Sequence, residues 1–174
     1  MGPKRIEPKP GQESVWDYPR PPRVEDSKKH IKVIFNNEVI AETNEAKRVL
    51  ETSSPPVYYI PLKDIKIECI IKTTKKTFCE WKGVASYYSV VVGNKRVEDA
   101  AWFYPDPMPR YRSIKDYVAF YPQKMDACYV DGKLVKPQPG SFYGGWITSE
   151  IVGPFKGEPG TEGWLKSLKI LSHL

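Results

Sequence analysis

Residues 77–92 constrain the fold more than any other part of the sequence. They read TFCEWKGVASYYSVVV, in which large apolar residues alternate with polar ones up to Gly83, and a β-branched, aromatic run follows. This pattern is typical of two consecutive strands joined by a tight bend. The lysine-rich residues 72–76 predict the turn before this pair. Aromatic runs at 101–104 and 117–121 predict further strands of the same core.

Turn-forming residues elsewhere in the sequence favour short antiparallel strands. Asn36-Asn37 and Asp131-Gly132 each separate two strand-like runs and are turn pairs that tolerate positive φ, so both predict β-hairpins. Residues 44–51 are rich in helix formers and predict a short helix. A second short helix is predicted at 162–174. The predicted fold class is therefore mainly β, with about ten short strands and one or two short helices.

Proline and glycine divide the 174-residue chain into three parts. Residues 1–29 predict a proline-rich arm, in which a strap at 14–22 carries a tryptophan and a tyrosine that pack onto the domain. Residues 30–136 predict the core domain, which is large enough for one hydrophobic core. Residues 137–174 are rich in glycine and proline but also aromatic, and they predict an ordered wrap around the core.

Charge and residue counts exclude several classes of protein. The net charge of +6 is spread over short clusters, which are typical of solvated turns. The interleaved aromatic residues keep a surface for single-stranded nucleic acid as the less favoured alternative. Three widely spaced cysteines and two histidines, with no CxxC pair, predict no metal site. No phosphate-binding glycine motif occurs, and we expect no cofactor. With no leader and no long apolar span, the sequence predicts a cytoplasmic protein that does not enter a membrane.

The aromatic residues provide the main candidate site. Strand alternation places Trp102 and Tyr104 on one face, opposite Phe103. Together with Trp81 and Trp146 they could line a concave pocket for a small planar ligand. The alternative for each ring is ordinary core packing.

Three charged residues could act in the same site. Alternation continued through the motif places Glu80 and Lys82 on the face opposite Trp81. They could orient or protonate a ligand, or could form an exposed pair on the strand. Asp106 lies between two prolines on a stiff loop and could be a rigid acceptor, or only a turn former.

Four ordered motifs carry a resemblance to a known family. The core motifs are at residues 57–61, 79–87, 101–107 and 118–121. In order and spacing they resemble the domain-of-unknown-function family numbered 427, over roughly residues 30–125. The strap and a tail motif at 144–148 resemble the longer version of that family. The resemblance implies a β-tent, in which two small antiparallel sheets meet at an angle, and it implies no activity. Other β-tent proteins include zinc-bound types, whose paired CxxC motifs this chain lacks, and a group that holds cyclic imides in a tryptophan cage.

Three functions follow from these observations. The first is a binding module for a small planar ligand in an aromatic-lined pocket. The second is an enzyme for a small metabolite that uses Glu80, Asp106 or Lys82 as acid and base. The third is a protein-interaction domain, in which the strap and the tail form a homodimer surface.

Overall fold

The computed structural model describes residues 4–140 and 142–158, and in these ranges the chain is mainly β. The strands are β1 (Glu13–Ser14), β2 (Arg23–Asp26), β3 (Ile31–Phe35), β4 (Glu38–Thr43), β5 (Lys47–Leu50), β6 (Val57–Tyr59), β7 (Ile70–Cys79), β8 (Gly83–Val92), β9 (Lys95–Phe103), β10 (Ala119–Phe120), β11 (Ala127–Val130), β12 (Lys133–Leu134), β13 (Lys136–Pro137), β14 (Trp146–Ile147) and β15 (Ile151–Val152). Five short 3₁₀ helices connect them, at Val15–Asp17, Leu62–Asp64, Ile67–Cys69, Pro109–Ile114 and Pro122–Lys124.

Two four-stranded antiparallel sheets form the body of the protein. One has the strand order β10-β9-β8-β7 and contains the predicted central pair, and the other has the order β12-β11-β3-β4. The predicted mainly β class with two small antiparallel sheets is therefore confirmed. Three smaller sheets accompany them: β2-β5-β6, β13-β14 and the parallel pair β1-β15.

Local turn chemistry determines both predicted hairpins. Asn36 and Asn37 have φ of 49° and 64° and join β3 to β4. Asp131 and Gly132 have φ of 49° and 77° and join β11 to β12. Left-handed backbone at both central positions is the conformation that matches the twist of the flanking strands. Both hairpin predictions are confirmed.

Two local predictions were wrong. The expected helix at 44–51 is instead largely strand β5, which lies between β2 and β6 and forms backbone hydrogen bonds with both. The expected turn at 72–76 lies inside β7, where the pairing with β8 shifts between Lys72 and Lys76 as in a β-bulge. The helix predicted at 162–174 lies outside the described residues.

The core has two main clusters, because the last four residues of β9, Ala100 to Phe103, are buried on both faces of the strand. Phe103 packs in the larger cluster with Val90 and Trp146. Trp102 and Tyr104 point to the opposite side and pack in a second cluster. The predicted division of these residues between two faces is confirmed.

The strap packs onto the domain, as predicted. Val15 and Tyr18 are buried against Leu50 and Ile151 in a third cluster. Strand β1 pairs with β15, so the strap also contacts the tail. The division into arm, core and wrap stays a prediction. None of the helices in the described part of the chain is long and apolar enough to cross a membrane.

The ion pair between Glu13 and Arg48, next to the strap, predicts that the protein is less stable at acidic pH. The Arg48 guanidinium donates to both carboxylate oxygens of Glu13, at 2.9 and 2.8 Å, and the Tyr18 hydroxyl donates to the same carboxylate at 2.7 Å. The hydrogen bond from Arg48 outweighs burial and lowers the pKa of Glu13 below its ordinary value of 4.5. A group with a lowered folded-state pKa stabilises the fold above its unfolded pKa, and that stabilisation is lost as the pH falls through the folded pKa.

We therefore expect Glu13→Gln to reduce the dependence of stability on pH. Urea unfolding at about pH 7 and about pH 3 measures this, because protonation of Glu13 removes its interaction with Arg48 only in the parent protein. The parent should lose more free energy of unfolding between the two pH values than the variant. Equal losses would show that the Glu13 carboxylate does not contribute.

Candidate functional site

The structure places three of the predicted aromatic residues inside the core. Trp102, Tyr104 and Trp146 each have 0% of their surface exposed. The Trp102 indole donates to the Tyr59 hydroxyl at 3.1 Å, and the Trp146 indole donates to the Phe120 carbonyl at 3.1 Å. A ligand could reach these rings only by displacing packed side chains. That they bind a ligand stays a prediction.

The motif between β7 and β8 differs from the predicted alternation. Strand β7 ends at Cys79, and residues 80–82 form the turn, so the period of two does not continue through them. Glu80 and Trp81 are half-buried, Asp106 is exposed, and Lys82 is only 2% exposed. The prediction that Glu80 and Lys82 share a strand face was therefore wrong, because the turn directs Lys82 into the protein.

Backbone contacts fix the turn that carries Lys82. Gly83 has φ of +106°, in the left-handed region that favours glycine. The Met108 amide donates to the Lys82 carbonyl at 2.9 Å. A β-carbon on Gly83 would lie 3.6 Å from the Asp106 carbonyl oxygen. Asp106 thus supports the turn through its backbone, while its side chain faces solvent.

The Lys82 side chain lines a pocket, which we call the Lys82 pocket. Three segments line it: residues between Val49 and Tyr59, Lys82 itself, and the tail. Its lining residues are Val49, Glu51, Ser54, Pro55, Val57, Tyr59, Lys82, Gln138, Tyr143 and Gly144. Its interior volume is about 20 Å³. Since one water needs roughly 10–15 Å³ measured in this way, there is room for a single small group and not for a ring system.

The pocket is electrostatically unusual because it contains a buried ammonium. Burial alone would lower the pKa of Lys82. The acidic groups of Cys79, Tyr59 and Glu51 outweigh burial and raise this pKa above its ordinary value of 10.5. Burial raises the pKa of Tyr59 to about 12, partly opposed by Lys82. At neutral pH the pocket therefore presents a positively charged ammonium and a neutral phenol.

Several buried polar atoms near this pocket lack a hydrogen-bond partner among the described residues. They belong to Tyr104 (Oη), Ser53 (Oγ), Glu51 (Oε2) and Arg20 (Nε and Nη2). The Arg20 Nε and the Glu51 Oε2 lie 3.8 Å apart, which is an ion pair but too long for a hydrogen bond. Buried polar atoms in native proteins are usually paired, so such a concentration indicates a place where water or a ligand completes the bonding.

Sequence reasoning missed most of the residues around Lys82. The sequence predicts a helix that includes Glu51, and it predicts that the strap around Arg20 only packs onto the domain. Tyr143 and Gln138 come from the tail, and the Gln138 amide donates to the Lys156 carbonyl at 2.7 Å to hold the tail in place. Nothing local in the sequence indicates that these segments converge. The one available signal was Lys82 itself, a charged residue inside an otherwise strand-like aromatic motif.

Among the described residues, no group of three or more histidine, cysteine, aspartate or glutamate side chains could hold a metal ion. The Lys82 pocket contains a single carboxylate, that of Glu51. With one lysine and one carboxylate in its lining, the pocket has no excess of negative charge that would favour a cation.

Comparison with known families identifies the chain. A family model described as a domain of unknown function, DUF427, matches residues 23–131, which is more than half of the chain. The chain belongs to this family. The match confirms the resemblance found in the sequence motifs. The matched region contains Lys82 and Glu51. Arg20 lies before this region and Tyr143 after it, so the strap and the tail contribute further residues to the site. No curated protein matches the chain.

Proposed function

We propose that this DUF427 protein is a binding module whose ligand places a small anionic group beside Lys82. The single observation that carries the proposal is the Lys82 side chain, which is 2% exposed and lines a pocket. Burying a charge costs free energy unless partners compensate for it. Cys79, Tyr59 and Glu51 compensate for the burial of Lys82. In the described part of the chain Lys82 nevertheless forms no ion pair within 4.0 Å, and an anionic ligand would supply one.

The pocket volume decides which part of the ligand enters. About 20 Å³ accepts one carboxylate-sized group, while the remainder of the ligand stays near the mouth. Tyr143 and Pro55 line the pocket and offer flat surfaces to such a remainder. A planar carboxylic acid meets both requirements. The planar ligand expected from the sequence is thus retained, with Lys82 and not a tryptophan cage as its main contact.

The two other functions have less support. Of the three acid–base groups of the enzymatic alternative, Lys82 lines the pocket, but Glu80 and Asp106 do not. The homodimer and the cytoplasmic location stay predictions.

Replacing Lys82 with methionine tests the proposal. We expect planar acids such as benzoate and nicotinate to raise the melting temperature of the parent in proportion to the logarithm of their concentration, as mass action requires. The Lys82→Met variant keeps the side-chain volume but removes the charge, so calorimetric titration should show binding at least about tenfold weaker, since a hydrogen bond to a charged group contributes about 1.5–3 kcal/mol.

Two controls make the result specific. Lys95→Met removes the same charge from a side chain that is 57% exposed, and it should bind like the parent. Benzamide and nicotinamide, which are equally planar but uncharged, should bind more weakly than the acids. If Lys82→Met binds the acids as tightly as Lys95→Met does, Lys82 is not the ligand contact.

A further inference from the structure

A second concave site lies between the strap and the 3₁₀ helix Pro109–Ile114. Residues 19–24 form one wall, and Arg110, Tyr111 and Ser113 form the other. Three arginines line it, Arg20, Arg23 and Arg110, and its lining contains no aspartate or glutamate. We call this site the arginine groove. Its volume is about 360 Å³, which is within the range of sites for small organic ligands.

The positive charge of the groove is only partly neutralised. Arg20 is paired with Glu51 at 3.8 Å, and Arg23 with Glu25 at 3.6 Å; both distances are too long for hydrogen bonds. Arg110 forms no ion pair with the residues that the structure describes. The Nε and Nη2 atoms of Arg20 are buried and have no hydrogen-bond partner within the same ranges. Arg23 and Arg110 therefore offer donors at the exposed surface of the groove, and Arg20 adds buried donors that no described group satisfies.

The two walls are held together without any ligand. The Tyr111 hydroxyl donates to the Pro22 carbonyl at 2.8 Å across the base of the groove. Arg23 begins β2 and is paired with Leu50 of β5, which fixes the backbone of the strap wall. Prolines at positions 19, 21 and 22 restrict the strap further. Because the backbone of both walls is fixed before binding, less entropy is lost when a ligand binds.

We propose that the arginine groove binds the phosphate group of a small phosphorylated compound. Guanidinium groups match phosphate oxygens in a bidentate manner, and the three arginines that line the groove carry more charge than the two carboxylates paired with them, Glu51 and Glu25, can neutralise. The Ser113 hydroxyl adds a neutral donor at the rim. The volume exceeds that of a phosphate group alone, so the groove also accommodates the organic part of the compound. The groove shares Arg20 with the surroundings of the Lys82 pocket, through the ion pair between Arg20 and Glu51. Arg23, Arg110 and Ser113 belong to the groove alone, and the proposal does not depend on the planar-acid proposal.

Calorimetric titration with inorganic phosphate and phenyl phosphate tests the proposal, with ionic strength held constant by chloride. We expect the parent to bind both compounds, and phenyl phosphate more tightly because its ring occupies the rest of the groove. Arg110→Gln should weaken binding at least about tenfold, since one charged hydrogen bond is lost. Tighter binding of inorganic phosphate than of phenyl phosphate would overturn the assignment to a phosphorylated compound.

Arg112 provides a matched control. It lies in the same 3₁₀ helix, is exposed and does not line the groove, so Arg112→Gln removes the same charge from the same element. This variant should bind like the parent. Circular dichroism checks that both variants are folded. Equal weakening in the two variants would attribute binding to net charge, and an absence of heat in the parent would remove the site; either result overturns the proposal.

Discussion

Replacing Trp102 with alanine should destabilise the protein by about 3–5 kcal/mol, the range found when a buried large aromatic residue is truncated. Trp102 is 0% exposed, and its ring centroid lies 4.6 Å from that of Tyr121. Truncation leaves a cavity in the second core cluster and also leaves the Tyr59 hydroxyl without the indole donor at 3.1 Å. Urea unfolding should show a lower midpoint with a similar slope.

Phe78 offers a control of similar chemistry. It lies on β7, and 50% of its surface is exposed. Phe78→Ala should change the free energy of unfolding by about 1 kcal/mol or less, as is usual for surface positions. Similar losses in the two variants would contradict the assignment of Trp102 to a packed core, and would favour an open site around its ring.

The second large effect is expected at Gly144, where the tail crosses the Trp102 ring. A β-carbon on Gly144 would lie 2.3 Å from Cη2 and 2.7 Å from Cζ3 of Trp102. Those atoms belong to a rigid, fully buried ring that cannot move aside, so Gly144→Ala should cost about 1–3 kcal/mol, as overpacking does. Thermal and urea unfolding measure the loss.

A double-mutant cycle tests the cause of that loss. Trp102→Leu removes the ring atoms that the new methyl group would meet. Gly144→Ala should therefore cost much less in the Trp102→Leu background than in the parent, because residues in contact show coupled effects. Additive costs would mean that Gly144 is needed for its backbone and not for its close approach to Trp102.

Local signals were sufficient to predict the strands around the tight turns. The Asn36-Asn37 turn and the Gly83 bend each rely on residues that tolerate left-handed backbone, and such preferences are visible in a short window of sequence. The opposite directions of Trp102 and Phe103 follow from the pleat of one strand. These features depend on neighbours in the chain, and the structure confirms them.

Features that depend on distant segments could not be predicted in this way. Residues 44–51 have the composition of a helix, but β2 and β6 provide hydrogen-bonding partners on both sides of β5, and tertiary context overrides propensity. The sequence predicts Lys82 as a site residue, but its burial depends on the end of β7 at Cys79, which places Lys82 in a turn. Glu51 and Tyr143, which line the same pocket, are far from Lys82 in the sequence, so the pocket forms only when the chain folds.

The contact between the strap and the tail also determines when parts of the fold can form during synthesis on the ribosome. The Trp16 indole donates to the Pro154 carbonyl, 138 residues later, and the tail contributes Tyr143 to the Lys82 pocket. At about 5–20 residues per second, a ribosome takes on the order of ten seconds to make the chain between these two contacts. Throughout that time the apolar side of the strap lacks its C-terminal partner. The lining of the Lys82 pocket is therefore incomplete until the ribosome has passed Tyr143.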